Sequence, residues 1–140
     1  MTDFNDKIIA EFRANDGVVQ TAGFGASLVL LHTTGAKTGA ERVSPVMAQP
    51  QPDGSWLVAA SKAGAPENPA WYLNMLAHPD MAIEAVTGNG VETVEVVAED
   101  LKGAARDAAW ATFTEKAPGF LDYQVTAGDR LIPVVKLSRR

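Results

Sequence analysis

Between residues 28 and 60 three strand-like runs, LVLLHT, RVSPVMA and WLVAA, follow one another with no space for a crossover helix. Parallel neighbours need a dozen or more residues of connection, so runs this close pair antiparallel. The second and third are joined by QPQPDGS, in which Pro52-Asp53-Gly54 marks a hairpin turn. Met81 to Thr87 and Val91 to Ala98 repeat the arrangement around Gly88-Asn89-Gly90, and LIPVVKL supplies a last strand. Pro45, inside the second strand, cannot donate to a ladder. It predicts an edge or a bulge there, with something other than a strand on that side.

Helices enter at a few joints only. Phe4, Ile8, Ile9 and Phe12 share one face over residues 3–14, and NDG at 15–17 ends that helix. A second spans 69–77, with Asn68 as N-cap, Pro69 at its first position and Pro79 forbidding continuation. A third covers 101–116, with Leu101, Ala105, Ala108 or Ala109, and Phe113 turned inward. Pro118-Gly119 breaks it, and a short irregular segment then carries Phe120 and Tyr123. The pattern predicts an α+β domain over residues 1–140, built on an antiparallel barrel of about six strands. A dinucleotide-binding βαβ unit is rejected, because Gly23-Phe24-Gly25 leads into a strand and not a helix.

Composition narrows the function. The chain has 140 residues, 46% hydrophobic and 21% charged, which is enough for one buried core. It has no cysteine, so thiol catalysis, disulfides and iron–sulfur clusters are excluded. The two histidines, His32 and His78, are far apart with no carboxylate at ligand spacing, so no metal site is expected. Both read as structural or exposed. No apolar run approaches the roughly 20 residues of a membrane span, which predicts a cytoplasmic protein, with peripheral membrane contact left open. The net charge of -5 argues against nucleic-acid binding, and any anion site must be local.

One stretch supplies such a site. His32-Thr33-Thr34-Gly35-Ala36-Lys37-Thr38-Gly39 and then Arg42 combine backbone N–H groups, hydroxyls, an ammonium and a guanidinium. The spacing is wrong for a Walker loop, and a strand follows instead of a helix. A solvated loop is the plainer reading of the same residues. Ser61, Lys62 and the N-terminus of the 69–77 helix form a second candidate group, which would meet Lys37 and Arg42 if the strands converge. Trp71 and Tyr72 are core or hydrophobic cover, and Asn74 is a surface residue or a polar contact. No triad or carboxylate pair is visible, so an enzyme of this make-up would draw its reactivity from a cofactor.

LLHTTGAKTGAERVSPVMA, VAASKAGAPENPAWYLNMLAHP and PGFLDYQVTAGDRLIPVVKL, in that order and spacing, strongly resemble the deazaflavin-dependent nitroreductases. These are actinobacterial split-β-barrel oxidoreductases that use coenzyme F-420, an 8-hydroxy-5-deazaflavin. The resemblance runs from about residue 4 to 137. It implies a split barrel in which Lys37, Thr38, Gly39 and Arg42 hold the coenzyme's phosphate and acidic tail. Pro45, Val46, Met47, Ala60, Ser61 and Lys62 would line the ring, with Ala70, Trp71 and Asn74 closing over it. It implies hydride transfer to a quinone, an enone or activated alkene, or a nitroaromatic. Met47, Phe120 and Tyr123 would contact the acceptor, and Tyr123, Ser61 or solvent would deliver the proton. Nitroimidazole-reducing relatives have a tyrosine-rich segment before the last strand. Here Ala117, Phe120 and Tyr123 stand in that region, and Met47 replaces an aromatic residue, which predicts a more apolar acceptor site. The alternatives are a protein that only stores the coenzyme, and a split barrel that takes FMN or haem. The chain is expected to be a monomer or a homodimer, the resemblance leaning to monomer.

Overall fold

A computed structural model describes residues 3–88 and 90–140. Six strands, β1 (Leu28–Thr34), β2 (Glu41–Pro50), β3 (Trp56–Ala59), β4 (Asp80–Thr87), β5 (Gly90–Asp100) and β6 (Val134–Arg139), close one barrel in the order β1-β2-β3-β6-β5-β4. Every pairing is antiparallel. The β4–β5 hairpin turns where expected, with Thr87 opposite Gly90; Asn89 of the predicted turn lies outside the described residues. Helices α1 (Asp3–Ala14), α2 (Ala70–Ala77), α3 (Gly103–Lys116) and α4 (Gly119–Ala127) pack around the barrel.

Alternation along the strands sends Val29, Leu31, Ile83, Val96 and Leu137 into the barrel, where they meet Tyr72 and Met75 of α2. Outside it, Phe113 of α3 joins Leu57, Ile132 and Val134, while Ile8 and Phe12 of α1 cover Leu28 and Leu30. Each fully buried side chain of this size is worth about 1.5–3 kcal/mol.

Several local expectations give way to tertiary contacts. The 120–123 segment is helical, because Pro118 starts α4 as its N-cap and does not merely end α3. Asn68 does not cap α2; its Oδ1 accepts from Arg130 (2.7 Å), and Pro69 occupies the cap position. On α3, Ala105 and Ala108 are exposed. Arg106 turns inward instead, donating to the Ile132 carbonyl (3.1 and 2.6 Å) with its guanidinium over Trp110. Phe4, read as part of the apolar stripe, is 54% exposed.

Candidate active site

The barrel is open along one edge. β2 runs against β1 from Glu41 to Met47, but it meets β3 only at Ala48–Pro50. The Ala48 N–H donates to the Ser27 carbonyl on the β1 side (2.9 Å). Alternation along an antiparallel ladder therefore turns the Pro45 nitrogen to the open side, where a missing donor costs nothing. The proline marks an edge that faces no strand, as expected.

Two adjoining chambers follow this free edge, separated by Trp71 and Asn5, which line both. The first, of about 330 Å³, is mainly apolar: Pro45, Val46 and Met47 of β2 face Ala59, Ser61 and Lys62, with Phe120 and Tyr123 of α4. Phe120 stands edge-on to Tyr123 and to Phe113, with ring centroids 5.2 and 4.8 Å apart. The second chamber, of about 470 Å³, is bounded by the Gly35–Thr38 loop, Arg42, Val43 and Ser44, and by Ala70, Leu73 and Asn74 of α2.

The loop at the second chamber is built from within. Gly35 donates to the Ala40 carbonyl (2.8 Å), and Gly39 donates to the Gly35 carbonyl (2.9 Å). Asn74, buried on α2, accepts from the Ala36 N–H (3.0 Å) and donates to Thr33 Oγ1 (3.3 Å). The open question about Asn74 is thus settled: it spends its amide on the loop. α2 has no side-chain cap, so the N–H groups of its first turn remain available at Ala70 and Trp71.

Lys37 of this loop and Arg42 at the start of β2 differ from half of the chain's cations in their pairing. Arg13, Lys62, Lys102, Arg106, Lys136 and Arg140 each lie within 3.3 Å of a carboxylate. Among the described residues, Lys37 and Arg42 have no such partner. Their neighbour Glu41 is engaged by His32 Nδ1 (3.0 Å), whose Nε2 meets Glu84 (2.6 Å). Burial opposes charge on that imidazole, but the hydrogen bonds to Glu41 and Glu84 prevail and raise its pKa. His32 thus has a structural role, engaging the acid that precedes Arg42 in the sequence.

The structure brings together most, but not all, of the residues singled out in the sequence. Lys37, Thr38, Arg42, Ala70 and Asn74 share the second chamber, which holds the two unpaired cations, while Pro45, Val46, Met47, Ser61, Lys62, Phe120 and Tyr123 share the first. Lys62 does not join Lys37 and Arg42; its ammonium lies 3.2 Å from Glu67. Gly39 shapes the loop without lining a chamber, and Ala60 is fully buried, leaving Ala59 at the wall. Sequence reasoning missed the contribution of α1, whose Phe4, Asn5 and Ile8 line the apolar chamber. The spacing of Phe4 and Ile8 was the available signal, but it reads equally as core.

A profile of the F-420H(2)-dependent quinone reductases matches residues 6–138. The chain belongs to that family. It is an F-420H(2)-dependent reductase, and its cofactor is coenzyme F-420. An F-420H(2)-dependent quinone reductase of Mycobacterium tuberculosis is 37% identical over 115 residues, covering 80% of this chain and 73% of the relative. Among solved structures, an F-420-H2-dependent reductase superposes with a TM-score of 0.69 at 34% identity, over 80% of this chain and 94% of the other. A chain described as a domain-swapped dimer gives 0.68 at 32%, over 95% and 98%. A haem storage protein of Vibrio cholerae, at 15% identity and a TM-score of 0.59, shares the fold alone. Among the described residues of this reductase, no helix is long and apolar enough to cross a membrane.

Proposed function

We propose that this reductase delivers a hydride from reduced F-420 to a quinone-like or enone acceptor held in the apolar chamber. The reading rests on one observation: two cations without an acid partner among the described residues, Lys37 and Arg42, line one chamber, which opens past Trp71 into an apolar slot along the free edge of β2. A coenzyme with an anionic tail and a flat ring needs this pairing of surfaces. Lys37 and Arg42 would grip phosphate and carboxylates, the guanidinium through two parallel bonds and the ammonium as a point charge. The hydroxyl of Thr38 and the first-turn N–H groups of α2 add neutral donors.

Bound F-420H2 supplies the hydride, from C5 of its ring. The remaining tasks fall to the chain. Pro45, Val46 and Met47 would flank the ring without competing hydrogen bonds. Trp71 would bar water between the chambers, and Phe120 and Tyr123 would hold the acceptor over the ring. Closeness of donor and acceptor then supplies much of the rate. One proton must accompany the hydride. Ser61 lies at the chamber wall, its hydroxyl has no hydrogen-bond partner among the described residues, and it is our choice as the group that passes the proton from solvent. The Tyr123 hydroxyl, more exposed at the rim, would orient the acceptor.

With few donors near Phe120, the site should turn over quinones and enones faster than bicyclic nitroimidazoles. The test is a fluorescence titration with oxidised F-420 and FMN in parallel, followed by an acceptor panel with reduced F-420. Binding without reoxidation by any acceptor would indicate a storage protein, and nitroimidazole turnover equal to quinone turnover would defeat the acceptor assignment. A relative described as a domain-swapped dimer supports a homodimer for this chain, which light scattering of the purified protein decides.

A further inference from the structure

Arg130, in the connection between α4 and β6, lines neither chamber, yet it makes the densest side-chain contact near them. Its Nη1 donates to the Ala60 carbonyl (2.9 Å) and to Asn68 Oδ1 (2.7 Å), its Nη2 to the Ser61 carbonyl (2.6 Å), and its Nε to the Ala65 carbonyl (2.9 Å). All four acceptors belong to the segment that carries Ser61 and Lys62. No carboxylate faces the guanidinium among the described residues. A charge placed so as to grip only neutral acceptors acts through its shape.

The connection that presents Arg130 is itself held. Gln124 donates to the Arg130 carbonyl (2.8 Å) and accepts from the Ile132 N–H (3.0 Å). Arg106 holds the Ile132 carbonyl from α3, and the Pro133 carbonyl accepts from the Ala60 N–H (2.9 Å). The gripped segment, in contrast, needs holding. Lys62 has φ +48°, in the left-handed region that side chains disfavour. Gly64 has φ +83°, and a Cβ there would fall 2.7 Å from Thr126 Cβ and 2.9 Å from the Tyr123 carbonyl. The turn after β3 is thus pressed against the backbone of α4, the helix that carries Phe120 and Tyr123.

We propose that Arg130 is a positioning residue: its guanidinium holds the Ser61–Lys62 wall of the apolar chamber in register with the Phe120–Tyr123 wall. This rests on the reading of that chamber as the reaction site. It assigns the placement of Ser61 Oγ to a residue that does not touch that hydroxyl.

Shape and charge can be separated. Arg130→Lys keeps the charge, but three donors on one nitrogen cannot reach four acceptors spread from residue 60 to 68. Arg130→Lys, Arg130→Gln and Gln124→Leu, which releases the connection without touching the gripped segment, are compared with the natural protein. The readouts are hydrogen exchange of amides 61–65 without coenzyme, the Kd for oxidised F-420, and kcat and KM for menadione with reduced F-420. In both Arg130 variants those amides should exchange about tenfold faster and kcat should fall by about 10²-fold, the cost of a misplaced wall. The Kd for F-420, set on the proposed reading mainly by Lys37 and Arg42, should change less than about threefold. Gln124→Leu should repeat the pattern at smaller size. Natural kcat in Arg130→Lys would overturn the proposal in favour of charge. A folded Arg130→Gln with protected amides and unchanged kcat would overturn it outright. If Arg130→Gln does not fold, the other two variants decide. If the natural protein does not reduce menadione, the reading of the reaction site falls, while exchange at 61–65 still shows whether Arg130 holds the wall.

Discussion

Two loops flank the open edge of the barrel, and they are secured in opposite ways. The 35–39 loop is fastened through its backbone, by its own turn and by Asn74, and leaves Lys37, like Arg42 just beyond it on β2, without an acid partner among the described residues. The turn after β3 is fastened by a foreign guanidinium, keeps Lys62 in a disfavoured conformation, and pairs that lysine with Glu67. Tail binding tolerates mobile point charges, because Coulomb attraction falls slowly with distance. Hydride transfer does not, because its rate depends on separations near 3–3.5 Å. On the proposed function, the first loop would then govern affinity and the second rate.

The largest effect expected from breaking this division is in affinity. Lys37→Ala with Arg42→Ala removes two charge-assisted contacts, each worth about 1.5–3 kcal/mol, so the Kd for F-420 should rise by about 10²-fold or more. The kcat at saturation should stay within about twofold, as steady-state kinetics will show. Ser61→Ala should invert that pattern, lowering kcat by about tenfold to 10²-fold with little change in Kd, whereas Tyr123→Phe should cost less than about threefold and act on KM. A larger kcat loss in Tyr123→Phe than in Ser61→Ala would reverse the two roles.

Asn74→Ala sharpens the comparison from the structural side. It strands the Ala36 N–H and the Thr33 hydroxyl, so urea unfolding should report a loss of about 1–3 kcal/mol. The Kd should rise more than kcat falls, because the polar loop loses its anchor. The smallest effect concerns pH. With its pKa raised in the folded state, His32 contributes stability that is full below its unfolded value near 6.5 and is lost as pH rises through the folded value. The urea midpoint should therefore decline on going from pH 6 to mildly alkaline conditions, and this decline should disappear in His32→Gln.

Much of the architecture was legible because it depends on local chemistry. Hairpin turns, strand alternation and the stop at Pro79 act within a few residues, and all six strands formed. Pro45 disclosed the free edge, since a missing donor is visible in the sequence itself. The cations at 37 and 42 read as a candidate anion site, because an acidic chain places them beside glycines. What stayed hidden depends on pairs distant in sequence. Nothing near Arg130 says that it grips residues 60–68, and nothing near Asn74 says that its amide closes a loop 38 positions away. Lys62 carried the right charge for the anion site, but Glu67 took it. Arg106 turns inward among alanines to donate to the Ile132 carbonyl, 26 positions away. The helix of 119–127 was concealed by Pro118-Gly119, which reads as a break although proline also starts helices.

The central claim is that Lys37 and Arg42 recognise the anionic tail of F-420 and leave the ring to the other chamber. A double comparison tests it most directly: Kd for F-420 and for its tail-less deazaflavin nucleoside, each measured by fluorescence on the natural protein and on Lys37→Ala with Arg42→Ala. The account predicts that the natural protein prefers F-420 by about 10²-fold or more, that the variant loses this preference, and that both bind the tail-less ring alike. If the variant weakens both ligands by the same factor, the two cations do not hold the tail, and the assignment of the chambers is wrong.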